Sequence, residues 1–161
     1  MSLNSREIIR EAQRKNIAFA LETNDSIEQI ITLGNQLVQE NYNVTLFSLS
    51  NVESQTVPLF DIHQMSNIFL YSGTVLCFNL GVAIYLTKCG GQKRIFLVDQ
   101  NMLWTQLSQY YYDTVADIYL NPRLQIITNS QNAKTIERIW KKPQIIEIFS
   151  VQELEKCCQL K

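Results

Sequence analysis

The sequence predicts an α/β protein, a Rossmann-like doubly wound parallel sheet of six to seven strands with helices on both faces. Three observations predict it. Short apolar runs alternate with stretches of helical periodicity along the chain. The runs are nearly continuously apolar, as strands covered on both faces must be. Capping and helix-stopping residues fall between the two kinds of segment.

The first strand is expected over 16–22 (NIAFALE). A helix over 25–40 follows, with Ile27, Ile30, Ile31, Leu37 and Val38 on one stripe and the capping-box spacing Asp25 to Glu28 at its start. Residues 43–50 (NVTLFSLS) read as the second strand. A short edge strand is expected over 57–62, where the missing amide of Pro58 is tolerated. Residues 65–72 read as a short helix or loop, and 74–79 (TVLCFN) as a buried strand. A helix over 81–89 ends at Gly90 and Gly91, and 94–99 (RIFLVD) is the next strand. The helix expected over 103–120 carries Leu107, Tyr111, Val115 and Ile118, and Pro122 stops it. A strand over 124–128 (LQIIT) precedes a helix bearing Ala133, Ile136, Ile139 and Trp140. A last strand over 144–149 (QIIEIF) leads to a helix capped by Ser150, with Glu153 at the box position. Right-handed crossovers then favour the strand order 3-2-1-4-5-6-7.

A chain of 161 residues suits a single domain over 1–161, with a polar helical extension over 1–15. At this length about 68–70% of the unfolded surface is buried on folding, so no staples are required. Fourteen basic against fifteen acidic residues leave no excess charge for a row of phosphates, which disfavours nucleic-acid binding. The basic run 138–142 reads as a solvated helix face. With 18% charged and 10% aromatic residues, the chain has apolar surface to spare, which points to a homo-oligomer or a partner subunit. Cys77 reads as a small buried hydrophobe, and the adjacent Cys157 and Cys158 make no ordinary disulfide. No cysteine or histidine spacing suits a metal, and no cofactor motif is present. With no signal-peptide core and no apolar run of about 18 residues, a reduced cytoplasmic protein that does not cross a membrane is expected.

In a doubly wound sheet, ligands bind beyond the carboxyl ends of the strands where strand order reverses. That crevice is bordered by Glu22, Thr23 and Asn24 after strand 1 and by Asn79, Leu80 and Gly81 after strand 4. Asp99 and Gln100 after strand 5, and Asn129 and Ser130 after strand 6, share the same edge. Glu22 is the candidate catalytic base, and Thr23, Asn24, Asn79, Asp99 and Ser130 are the candidate substrate-binding residues. Their carboxylate, amide and hydroxyl groups suit a sugar or another polyol. Each also has a structural reading, because short polar residues after a strand are what a helix N-cap needs; Asp25, Ser130 and Ser150 are the clearest cases. Taken as a buried strand residue, Glu22 carries an unpaired carboxylate, so Glu22→Gln is expected to raise the melting temperature slightly.

Other sites are excluded. The turn after strand 1 holds no glycine of a dinucleotide fingerprint, and neither GxxxxGK[ST] nor GxSxG occurs. His63, the one histidine, falls just beyond the edge strand and reads as a surface or packing residue. Tyr110, Tyr111 and Tyr112 point to different faces of a helix and read as core and rim packing.

Three segments, Gly73-Thr74-Val75-Leu76-Cys77-Phe78-Asn79, Phe96-Leu97-Val98-Asp99 with Trp104 five residues on, and Leu124-Gln125-Ile126-Ile127-Thr128-Asn129-Ser130, carry a resemblance. In order along residues 16–158 they resemble the N-terminal half of a GT-B-type glycosyltransferase. In that fold the N-terminal domain shapes the acceptor site, and the C-terminal domain holds most nucleotide-sugar contacts. The resemblance implies a domain that binds a sugar or other polar acceptor, and leaves open a stand-alone or degenerate relative, one active only with a second subunit, and one with no activity. The alternative is a non-enzymatic scaffold or assembly protein on a Rossmann-like body, in keeping with the absence of any motif that names a reaction.

Overall fold

A computed structural model of the chain describes Ser5 and residues 15–22, 26–106 and 111–160. The strands are β1 (Asn16–Leu21), β2 (Asn43–Ser48), β3 (Asp61–Gln64), β4 (Gly73–Cys77), β5 (Lys93–Val98), β6 (Leu124–Thr128) and β7 (Gln144–Ile145). They form one sheet in the order β3-β2-β1-β4-β5-β6-β7, every neighbouring pair parallel. The helices are α1 (Ile27–Gln39), α2 (Leu80–Lys88), α3 (Tyr112–Tyr119), α4 (Ser130–Ile139) and α5 (Val151–Cys157). The expected fold class and strand order are both present. The expected extension over 1–15 lies, but for Ser5 and Lys15, outside the described residues.

Side-chain alternation along the strands divides the core between the two faces. Ile17, Phe19, Leu46, Leu76, Phe96 and Ile127 face α1 and α5, whose Ile30, Ile31, Leu37, Leu154 and Cys157 cover them. Ala18, Ala20, Val75, Cys77, Leu97 and Ile126 face α2, α3 and α4, which contribute Ala83, Leu86, Val115, Ile118 and Ile136. Small residues on β1 and β4 let the helices of this second face approach closely. Cys77 is fully buried and its thiol is pushed up to about 12 by burial, as befits a packing residue. All four cysteines are free. Among the described residues no helix is long and apolar enough to cross a membrane.

Four elements depart from the expected pattern. The edge strand expected at 57–62 lies instead at Asp61–Gln64. Asn35 of α1 donates to the Val57 carbonyl at 2.9 Å and accepts from Leu59 N at 2.8 Å, which diverts that backbone from the ladder. His63 therefore sits within β3, with its ring 6.0 Å from that of Phe47. The strand expected at 144–149 has two residues, because Glu147 turns back to accept from Ser130 N at 2.8 Å.

The expected capping box at α1 is not formed by Glu28. Its carboxylate accepts from Gln55 N at 2.6 Å and from the Thr56 hydroxyl at 2.7 Å, tying α1 to the β2–β3 connection. Ser26 is the N-cap residue, left-handed at φ 62° and without a side-chain cap; Asp25 lies outside the described residues. Of the helix expected over 103–120, the described residues form a 3-10 turn, Leu103–Gln106, and α3. Leu107 and Tyr110 lie outside the described residues, Tyr111 is exposed, and Tyr112 packs on Trp140 at 6.0 Å. The basic run is not a uniformly solvated face either. Lys141 is half-buried and donates to the carbonyls of Asn121 and Leu124.

Candidate functional site

At the reversal of strand order, β1 and β4 lie side by side and their following segments diverge, one into α1 and the other into α2. The gap is a crevice with two contiguous lobes. A lobe of about 370 Å³ is lined by Glu22, Asn79, Gln100, Asn101 and Leu103. A lobe of about 270 Å³ is lined by Gln29, Ile30, Leu33 and Phe149. The two share Ser26, Phe78, Val98 and Gln100. The expected position at the carboxyl ends of the central strands is therefore occupied by a real concavity.

Strand alternation decides which candidates reach it. Glu22 has the parity of Ala18 and Ala20, so it leans toward α2, where Gly81 makes room. A β-carbon at Gly81 would lie 3.3 Å from Glu22 Oε2 and 3.5 Å from Asn79 Oδ1, so both polar groups converge on the first turn of α2. The partial positive charge of a helix N-terminus favours a carboxylate there. Glu22 is exposed beyond the end of β1. The expectation of a buried, unpaired carboxylate is thus overturned, and with it the reason for Glu22→Gln to raise the melting temperature. Asn79 is the N-cap of α2: its Oδ1 accepts from Val82 N at 2.8 Å, which leaves the amide NH₂ as its donor toward the crevice.

Asp99 does not line the crevice. It is fully buried, its Oδ1 accepts from Leu103 N at 2.8 Å, and its Oδ2 accepts from the Tyr119 hydroxyl at 2.5 Å. Burial, then the Asp99 charge, hold that hydroxyl well above the ordinary phenol range. Asp99 is an anchor for the segment after β5. Ser130 does not line the crevice either, and it is not the cap of α4. Asn129 is, with Oδ1 accepting from Asn132 N at 3.0 Å. The Ser130 hydroxyl, then its backbone N–H, hold the pKa of Glu147 below the ordinary carboxylate value. Thr23 and Asn24 lie outside the described residues.

Sequence reasoning named Gln100 only as a neighbour of the site, and it missed Ser26, Asn101 and Phe78. Phe78 had a legible signal: it shares the parity of Leu76, which faces α1, and it sits one residue beyond the end of β4. Gln100 is held from behind. Its carbonyl accepts from Asn132 Nδ2 at 2.7 Å and Asn129 Nδ2 at 3.2 Å, while Thr128 donates to the Asp99 carbonyl at 2.6 Å.

Backbone strain borders this wall. Four non-glycine residues among those described have positive φ: Ser26, Asn41, Met102 and Gln159. Asn41 and Gln159 follow the C-caps of α1 and α5, where left-handed residues are ordinary. Ser26 and Met102 (φ 49°) have no such explanation; Ser26 lines the crevice, and Met102 lies between the lining residues Asn101 and Leu103. Such residues cost about 1–3 kcal/mol each and persist where their surroundings over-determine them.

A groove of about 540 Å³ between α2 and α3 is larger than either lobe, and Lys88, Asp117 and Asn121 are among its lining residues. It lies at the C-terminal end of α2, away from the strand ends. Among the described residues no group of three or more histidines, cysteines and carboxylates is placed to hold a metal. No family model, curated protein or solved structure matches the chain.

Proposed function

We propose that this chain is a glycosyltransferase-like domain that binds a sugar or another small polar acceptor in the β1/β4 crevice. In this reading, transfer requires a donor-binding subunit. One observation carries it: a crevice at the switch point that combines a carboxylate, three carboxamides and an aromatic ring. Carboxamides and a carboxylate match the donor–acceptor pattern of vicinal hydroxyls, and a ring offers a surface for the C–H face of a sugar. Glu22 is the residue assigned to accept a proton from the acceptor hydroxyl, with Asn79 and Gln100 orienting the ring. Asp99 acts behind the wall, and Ser130 takes no part in the site.

The test is titration of the purified chain with free hexoses and with nucleotide sugars, followed by calorimetry and thermal melts. Glu22→Gln keeps the side-chain shape and removes the charge. It is expected to leave stability within about 0.5 kcal/mol, as for an exposed residue. Sugar affinity is expected to fall about ten- to a hundredfold, the size of one charged hydrogen bond. Absence of both sugar binding and donor hydrolysis would remove the reading.

A second reading, an assembly protein, draws on the exposed Leu49, Val57, Leu59 and Ile62 on β3 and the connection leading to it. Light scattering separates the two. A stable oligomer whose melt ignores sugars selects the second.

A further inference from the structure

We propose that the ligand of the crevice is amphipathic: an uncharged hydroxylated head joined to an apolar group about the size of an aromatic ring. This rests on the crevice being the binding site and names the chemical class that its two lobes select.

The lobes differ in chemistry. Glu22, Asn79 and Asn101 line only the larger one, whereas Ile30, Leu33 and Phe149 line only the smaller one. Phe78 stands between them, its ring 6.3 Å from that of Phe149 and 6.5 Å from that of Phe19. An apolar cavity of roughly 150 Å³ accepts a benzene ring, so a lobe of about 270 Å³ has room for one with its linking atom. A bare monosaccharide fills the polar lobe alone and leaves the walls of Ile30, Leu33 and Phe149 facing water. A ligand with an apolar arm covers those walls, and the hydrophobic effect rewards it for doing so.

Gln100 lines both lobes, and its backbone carbonyl is pinned by Asn129 and Asn132. This residue therefore sits at the junction of head and arm. The charge of the head follows from the same walls. Glu22 is the ionisable residue among the described lining residues, and no lysine or arginine joins it. A phosphorylated head would meet a like charge with no cation to neutralise it.

The experiment compares, by calorimetry, methyl and phenyl glycosides of glucose, galactose and mannose, together with glucose 6-phosphate. Gln29→Trp is measured in parallel. Gln29 is an exposed residue of α1 that lines the apolar lobe only, and the larger side chain fills that lobe from its lip. For at least one sugar, the phenyl glycoside is expected to bind about tenfold or more tighter than the methyl glycoside, the scale of one buried ring. The ratio is expected to fall toward one in Gln29→Trp, and glucose 6-phosphate is expected to bind more weakly than methyl glucoside. Equal affinities of methyl and phenyl glycosides would overturn the amphipathic ligand while leaving the crevice as a sugar site. A phenyl preference that survives Gln29→Trp would overturn the assignment of the arm to this lobe. Tighter binding of the phosphate would overturn the uncharged head. No binding by any of these probes would overturn both this inference and the reading on which it rests.

Discussion

At the scale of single residues, the candidate polar groups divide into those that meet the crevice and those that hold its wall. Glu22 and Asn79 belong to the first group; Asp99, Asn129 and Asn132 belong to the second. Asp99 is the clearest case, because a fully buried carboxylate needs every donor it has. Tyr119→Phe removes the donor to Oδ2 and leaves that oxygen without its partner. A loss of about 1–3 kcal/mol in denaturant unfolding is expected. An unchanged midpoint would contradict the anchoring role. Glu28 gives a second residue-scale prediction, through pH. Its hydrogen bonds from Thr56 and Gln55 lower its carboxyl from the ordinary 4.5 to about 2. A group depressed in the folded state stabilises fully above its unfolded value and loses that contribution as pH falls through its folded value. Melting temperature should therefore decline between about pH 4.5 and pH 2, and Glu28→Gln should flatten that decline. A parallel acid limb in both proteins would show that the Glu28 bonds contribute nothing. In sequence, the types of these residues were legible but their allegiance was not. Asp99 and Glu22 both end apolar runs. What separates them is that the segment after β5 folds back over Asp99, whereas β1 stops before Glu22 and leaves it in solvent.

At the scale of elements, the apolar pattern identified the strands other than the edge strand β3 and the helices between them, and side-chain competition moved several boundaries. Asn35 drew the 57–59 backbone away from β3, and Glu147 cut β7 short. Such contacts join residues distant in sequence, so no local pattern announces them. The connection between β2 and β3 is also locked to α1 by packing. A β-carbon at Gly34 would lie 2.4 Å from Cε1 of Phe60, so the ring rests on the helix backbone. Helix propensity alone favours Gly34→Ala by about 1 kcal/mol. Overpacking costs about 1–3 kcal/mol. The expected result is a net destabilisation of about 1 kcal/mol that changes sign when Phe60 is also replaced by alanine. Stabilisation by Gly34→Ala alone would show that the ring moves aside freely.

At the scale of the whole molecule, the strand order was legible because few topologies satisfy right-handed crossovers between parallel strands, and the observed order 3-2-1-4-5-6-7 is the one they favour. That order placed the crevice correctly at β1 and β4. It did not reveal the two lobes, since Phe149 arrives from the chain after β7 and Ser26 owes its place to a left-handed backbone. The strained Ser26 and the pinned Gln100, both lining the crevice, describe a wall fixed before any ligand arrives, which reduces the ordering cost of binding. The central claim is that this crevice, rather than the groove between α2 and α3, receives a hydroxylated ligand. The most direct measurement is an amide-resolved NMR titration of the isotope-labelled chain with methyl glycosides of glucose, galactose and mannose. Shifts concentrated at Glu22, Asn79, Gln100 and Asn101 are predicted. Shifts concentrated around Lys88 and Asp117, or none at all, would contradict it.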